Sequence, residues 1–180
     1  ELLSIRMSEE EHARKQVQMH NLAKSIAEQM ARKLGKKFGE MFSYNSAFLG
    51  KIQSEVDGCS EIVTIEKFIE GSPFVKYMNN TGDIDHELPQ HAVEKAEALA
   101  HFSYDVSKQK FLLVDIQGIG FNLCDPEIAS ADLMTKENDG DKLNFCMGNL
   151  STEAIDTFFV QHNCNQYCRA LGLKAFVNVS

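Results

Sequence analysis

The stretch FLLVDIQGIGFNLCDP, residues 111–126, constrains this chain more than any other. It opens on a continuous apolar run, which reads as a strand buried on both faces. Asp115 follows at once. A carboxylate ending a buried strand is costly unless it is paired, metal-bound or catalytic. Gln117 lies two residues on and points to the same side as Asp115 if the strand continues. Gly118 and Gly120 permit a tight turn, so residues 117–126 read as a loop. Asp125, before Pro126, adds a second carboxylate. Two carboxylates and an amide oxygen around a glycine turn are hard oxygen donors, suited to Mg2+ beside a nucleotide phosphate. An Asx-type turn after a core strand explains the same residues, and the stretch alone favours that plainer reading.

Length sets the frame for this strand. A chain of 180 residues, 43% hydrophobic, can bury a real core and suits one domain, or one domain of two lobes. No apolar run is long enough to span a membrane, and no basic-then-apolar leader opens the chain. The net charge of −8 is uneven. Residues 1–60 carry nine Lys/Arg against eight Asp/Glu; the remainder carries nine against eighteen. An acidic body argues against nucleic acid as the main partner. The one basic cluster, Arg32, Lys33, Lys36 and Lys37, sits where a helix ends and cations are favoured. Five cysteines without a signal peptide imply a cytoplasmic, reduced chain with thiolates available for metal.

Elsewhere, local signals place the elements. Ser8 and Glu11 form a capping box, and Met19, Leu22, Ala23, Ile26 and Met30 recur at helical spacing, with Gly35 as a stop. This predicts a long amphipathic helix. A strand is expected around residues 47–52, and alternating β-branched residues predict another over 61–69. YMNNTGDID reads as a turn. Pro89 suits the first turn of a helix with a small-residue face, Val93, Ala96, Leu99, Ala100 and Ser103. Residues 131–143 read as a polar, mobile loop, and residues 151–162 as a further helix.

Two other stretches carry chemistry. FCMGNLSTE, residues 145–153, can hold an anion on backbone N–H groups at a helix start, although a plain cap by Asn149 or Ser151 explains it as well. HNCNQYC, residues 162–168, puts two thiols four positions apart, on one side if helical. His162 joins Cys164 and Cys168 only if the chain kinks near Asn163. A structural zinc wants four ligands, and His101 is a candidate fourth. A buried helix with two inert cysteines fits the local spacing equally well.

Taken in order, the segments VQMHNLAKSIAEQM, IEKFIEGSPFVKYMNNTGDI, ALAHFSYD, LLVDIQGIGFNLCDPEI, GNLSTEAIDTFF and HNCNQYCRALGL resemble the atypical alpha-kinases, from about Gln16 to Leu173. The D-x-Q-G-x-G-x-x-x-x-D-P loop and the H-x-C-x-x-x-C ending are specific to that family. The resemblance implies an α+β, two-lobed atypical protein-kinase-like fold with a zinc-stabilised C-terminal lobe. Residues 1–70 would form a partial N-terminal lobe with the long helix and hinge strand, and residues 71–180 the catalytic lobe. It implies transfer of the ATP γ-phosphoryl to Ser or Thr of a protein substrate. In that picture the backbone from Glu66 to Phe68 reads adenine, and Lys76 and Asn80 lie on the nucleotide and metal side. Asp115 matches the catalytic aspartate, and Gln117 and Asp125 the Mg2+ pair. Gly148 and Asn149 belong to a substrate-facing loop. His101, His162, Cys164 and Cys168 match four structural Zn2+ ligands. Two departures stand out. Cys146 and Ser151 occupy glycine-favoured places. Where the family carries a phosphate-binding lysine, this chain offers Arg6, a poor replacement for a compact ammonium. The expected protein is therefore an alpha-type Ser/Thr kinase domain with an incomplete N-terminal lobe, either part of a larger protein or a member whose N-terminal lobe is reduced. The alternative is a pseudokinase or nucleotide-binding interaction module that keeps the fold and the zinc.

Overall fold

The computed structural model describes residues 8–53, 58–130 and 151–175. Its first element is a 26-residue helix, α1 (Glu9–Leu34). The Ser8 side chain accepts from the Glu11 N–H at 3.2 Å, and the Glu11 carboxylate accepts from the Ser8 N–H at 2.9 Å. That capping box satisfies two donors that the first turn leaves orphaned. Glu9, Glu10 and Glu11 at the start and Arg32 and Lys33 at the end complement the helix dipole. Lys36 and Lys37 fall in a short 3-10 helix, Lys36–Phe38, beyond Gly35.

Three short strands follow: β1 (Ser43–Tyr44), β2 (Ala47–Gln53) and β3 (Ser60–Glu66). β2 and β3 form an antiparallel ribbon whose register pairs Ala47 with Glu66 and Gln53 with Ser60. β3 ends at Glu66, three residues before the expected Ile69. Part of the predicted turn is instead strand: β4 (Phe74–Met78) carries Tyr77 and Met78 inward, both buried. The turn proper begins at Asn79.

Helix α2 (Gln90–Val106) starts one residue after Pro89, which sits at the N-cap position. Its small-residue face is buried, with Ala98, Leu99 and Ala100 wholly inaccessible. β5 (Phe111–Val114) follows, then β6 (Ile116–Ile119), β7 (Asn122–Cys124) and β8 (Glu127–Ser130). The expected loop is thus mainly a hairpin, β6–β7. It sits at the centre of a four-stranded sheet ordered β1-β7-β6-β4, antiparallel except for β1 beside β7. β5 and β8 pair separately, Val114 with Glu127. The last described elements are α3 (Ser151–Gln161) and α4 (Gln166–Leu171).

One contiguous core joins these parts. Ile26 and Met30 of α1, Leu99 and Phe102 of α2, Leu112 and Leu113 of β5, Leu123 of β7, Phe158 of α3 and Cys168 of α4 all belong to it. The β2–β3 ribbon stands apart, with Phe48, Ile52 and Ile65 exposed. Residues 131–143, expected as a polar loop, lie outside the described residues. No helix among the described residues is long and apolar enough to cross a membrane.

Candidate active site and metal cluster

The site begins where β5 stops. Asp115 takes φ +51°, a left-handed conformation uncommon for a side-chain-bearing residue but tolerated by Asp. That twist ends one strand, as expected of Asp115, and starts another in a different sheet. Asp115 is 9% exposed, and its N–H donates to the Asn79 carbonyl at 3.3 Å. Its carboxylate is paired: Lys76 Nζ lies 2.8 Å from Asp115 Oδ1. An unpaired carboxylate at this depth would be costly, and β4 supplies the cation that removes that cost.

Sheet register then assembles the rest. Lys76 on β4 stands opposite Gln117 on β6, and Gln117 stands opposite Cys124 on β7. Directly opposed residues share a sheet face. Gln117 Nε2 donates to the Asp125 backbone carbonyl at 3.2 Å, tying the rung to the residue that carries the second carboxylate. Asp125 also takes a left-handed φ, +46°. Asp115, Gln117, Asp125 and Lys76 are therefore gathered at one end of the hairpin. Glu127, two residues beyond Asp125, was not anticipated. Burial, then the like charges of Asp115 and Asp125, push its carboxyl above the usual range, and Lys76 opposes the shift. Its two-residue spacing from Asp125 was the only signal in the sequence.

The remaining nucleotide-side residues lie nearby in the chain but are less tightly drawn together. Glu66 closes β3 and lies 3.7 Å from His20 Nε2. It borders a cavity of about 140 Å³ that α1, β2 and Asp125 also line. Phe68 is 82% exposed, and the Lys67 carbonyl between them accepts from Asn45 Nδ2. In the turn after β4 the organising residue is Asn79 rather than Asn80: its Oδ1 accepts from the Thr81 and Asp83 N–H groups at 3.0 and 2.9 Å. Arg6, Gly148, Asn149 and Cys146 lie outside the described residues.

A second constellation lies at the ends of the helices. His101 near the end of α2, His162 just after α3, Cys164, and Cys168 on α4 offer ligand atoms within 4.8 Å of one another. The chain is non-helical from His162 to Asn165, the kink that the quartet requires. Cys164 accordingly precedes α4 instead of sharing a helix with Cys168. His101 Nδ1 is 3.1 Å from His162 Nε2, Cys164 Sγ is 3.7 Å from His101 Nδ1, and Cys168 Sγ is 3.6 Å from His162 Nε2. Tetrahedral zinc with ordinary bond lengths requires about 3.3 Å between two nitrogens and about 3.5 Å between nitrogen and sulfur. The donor set and its spacing fit a tetrahedral metal ion. Burial, then the neighbouring His162, hold His101 down to about 4, so it stays in the neutral form that ligates. Burial pushes the Cys168 thiol up to about 12, so it would ligate as a thiolate only with a cation bound beside it.

A kinase-like α+β fold thus carries a lysine–carboxylate site at one end of the β6–β7 hairpin, its lysine supplied by β4, and a His2Cys2 quartet at the ends of its helices. The model of the alpha-kinase family matches residues 1–168, and the chain belongs to that family. It is 34% identical over 131 residues to transient receptor potential cation channel subfamily M member 6 of Homo sapiens, a match covering 72% of this chain and 6% of that protein. It is 40% identical over 114 residues to alpha-protein kinase 1 of Dictyostelium discoideum, covering 62% of this chain and 7% of that protein. The fold matches the apoenzyme alpha-kinase domain of myosin-II heavy chain kinase A with a TM-score of 0.74 at 23% identity, over 96% of this chain and 62% of that one. The same domain solved with ADP gives 0.71 at 23% identity. The chain therefore spans less than a tenth of these two curated relatives.

Proposed function

We propose that this chain is an ATP-dependent protein serine/threonine kinase domain working within a larger protein. The observation that carries the reading is the Lys76–Asp115 pair set on the same hairpin end as Gln117 and Asp125, in a member of the alpha-kinase family. Phosphoryl transfer needs positioning and charge stabilisation more than covalent chemistry from the protein. Asp115 orients the substrate hydroxyl and accepts its proton. Lys76 holds the Asp115 carboxylate in place and offers positive charge to the phosphate side. Gln117 commits its nitrogen to the Asp125 carbonyl, which leaves its amide oxygen, with the Asp125 carboxylate, to hold Mg2+. Bound Mg2+ would neutralise phosphate charge as it develops. Glu66 to Phe68 would meet adenine by backbone, with Asn80 toward the phosphates and Gly148 and Asn149 toward the peptide. Zn2+ on His101, His162, Cys164 and Cys168 would be structural. The acidic balance beyond residue 60 favours a basic peptide.

The test is phosphate incorporation into a basic Ser/Thr-containing helical peptide, with Asp115→Ala as control. Transfer is expected for the parent and a loss of at least about a hundredfold for Asp115→Ala. Equal transfer by both proteins would defeat the role of Asp115. ATP–Mg2+ bound by the parent without turnover would support the interaction-module reading instead.

A further inference from the structure

Glu97 has no place in the chemistry above. It lies one helical turn before His101 on α2, the spacing that puts two side chains on one face. It is 8% exposed, and its Oε1 lies 3.4 Å from Nδ1 of His162, whose side chain is only 2% exposed. A carboxylate taken out of water needs a partner, and this one faces an imidazole nitrogen. The other nitrogen of the same ring points the opposite way: His162 Nε2 faces Cys168 Sγ and His101 Nδ1. Stacking on Phe158, with centroids 4.9 Å apart and planes 13° apart, sets the ring plane.

We infer that Glu97 is the positioning carboxylate of the metal cluster, holding His162 with its proton on Nδ1 and its lone pair on Nε2 toward the ion. The inference rests on the zinc reading above. It also assigns the two histidines different supports: His101 is held by a backbone hydrogen bond at Lys174, His162 by a full charge. A carboxylate behind a ligating imidazole fixes its tautomer and raises its basicity, and losing one typically weakens metal binding by 10–100-fold. Glu97 also lines a polar cavity with Glu94, Cys164 and Asn165.

The test compares the full chain with Glu97→Gln, which keeps shape and removes charge. Zn2+ affinity is read by competition with a chromogenic chelator, and imidazole resonances by NMR of the zinc-loaded proteins. Both proteins are expected to bind one Zn2+, the variant about 10- to 100-fold more weakly. The Nδ1 proton of His162 is expected downfield and slow to exchange in the parent, shifted upfield in the variant, with His101 unmoved. An affinity within about threefold of the parent overturns the role of Glu97 and leaves the zinc reading standing. Nitrogen shifts showing His162 bound through Nδ1 overturn it in the parent alone, without any variant. A parent that takes up no Zn2+ overturns both readings.

Discussion

Glu127 feels the like charges of Asp115 and Asp125 and the opposite charge of Lys76, so its charge state answers to the whole site. Burial and like charge raise its folded value above 4.5. A carboxyl raised on folding stabilises the fold below its unfolded value, and that contribution is lost as pH rises through the folded value. At neutral pH the ionised group is then a net cost. Glu127→Gln is expected to melt at a higher temperature than the parent at pH 7, with the difference vanishing near pH 4. Thermal melts across that range check it, and a difference independent of pH would rule out the electrostatic cause. Asp115 was legible from sequence because a charge at the end of an apolar run is conspicuous whatever the fold. Glu127 was not. Its neighbours come from the β5–β8 pairing, the open end of the β6–β7 hairpin and β4, and none of these has a local signal.

Among the elements, the β6–β7 hairpin decides whether the site exists. Its glycines looked like turn residues, and Gly120 is one, at φ +56°. Gly118 serves another need. A Cβ there would lie 2.1 Å from the Asn122 carbonyl oxygen and 2.8 Å from Leu123 Cα, both backbone atoms that cannot rotate away. Gly118→Ala is therefore expected to force β7 from β6 and to cost about 1–3 kcal/mol by overpacking. It should also lower phosphate transfer, because Gln117 and Asp125 are joined across those strands. Denaturant unfolding and the peptide assay measure the two effects, and a variant with parental stability would show that the hairpin can open at no cost. The capped helix α1 was readable because capping box, periodicity and stop signal agree within one segment. The hairpin was read as a loop because its strands are only four and three residues long, too short for alternation to show.

Across the molecule, the quartet ties three helices that the core alone binds unequally. α4 has only six residues, too few to persist alone. Apart from the quartet, it is held by its cap and by packing. Asn165 caps its first turn and donates to the Glu94 carbonyl at 2.8 Å, and Tyr167 packs on Phe38. Such hydrogen bonds contribute about 0.5–1.5 kcal/mol each. Structural zinc contributes about 10–16 kcal/mol in small zinc domains, against a typical net stability of about 5–15 kcal/mol. If the quartet holds zinc, the ion outweighs every other tie on α4. The four ligands were legible as candidates from residue type, but only the family pattern favoured them over an inert buried helix, since the kink at residues 162–165 and the approach of His101 are tertiary facts. Chelator treatment is expected to lower the melting temperature and to raise amide exchange first in α3 and α4. Zn2+ should restore both readouts, and Mg2+ should not, because two thiolates and two imidazoles suit a borderline-soft ion better than a hard one. A zinc-stripped chain that melts where the loaded chain melts would assign the cohesion of these helices to the Phe158–Leu99 core and leave the quartet without a structural role.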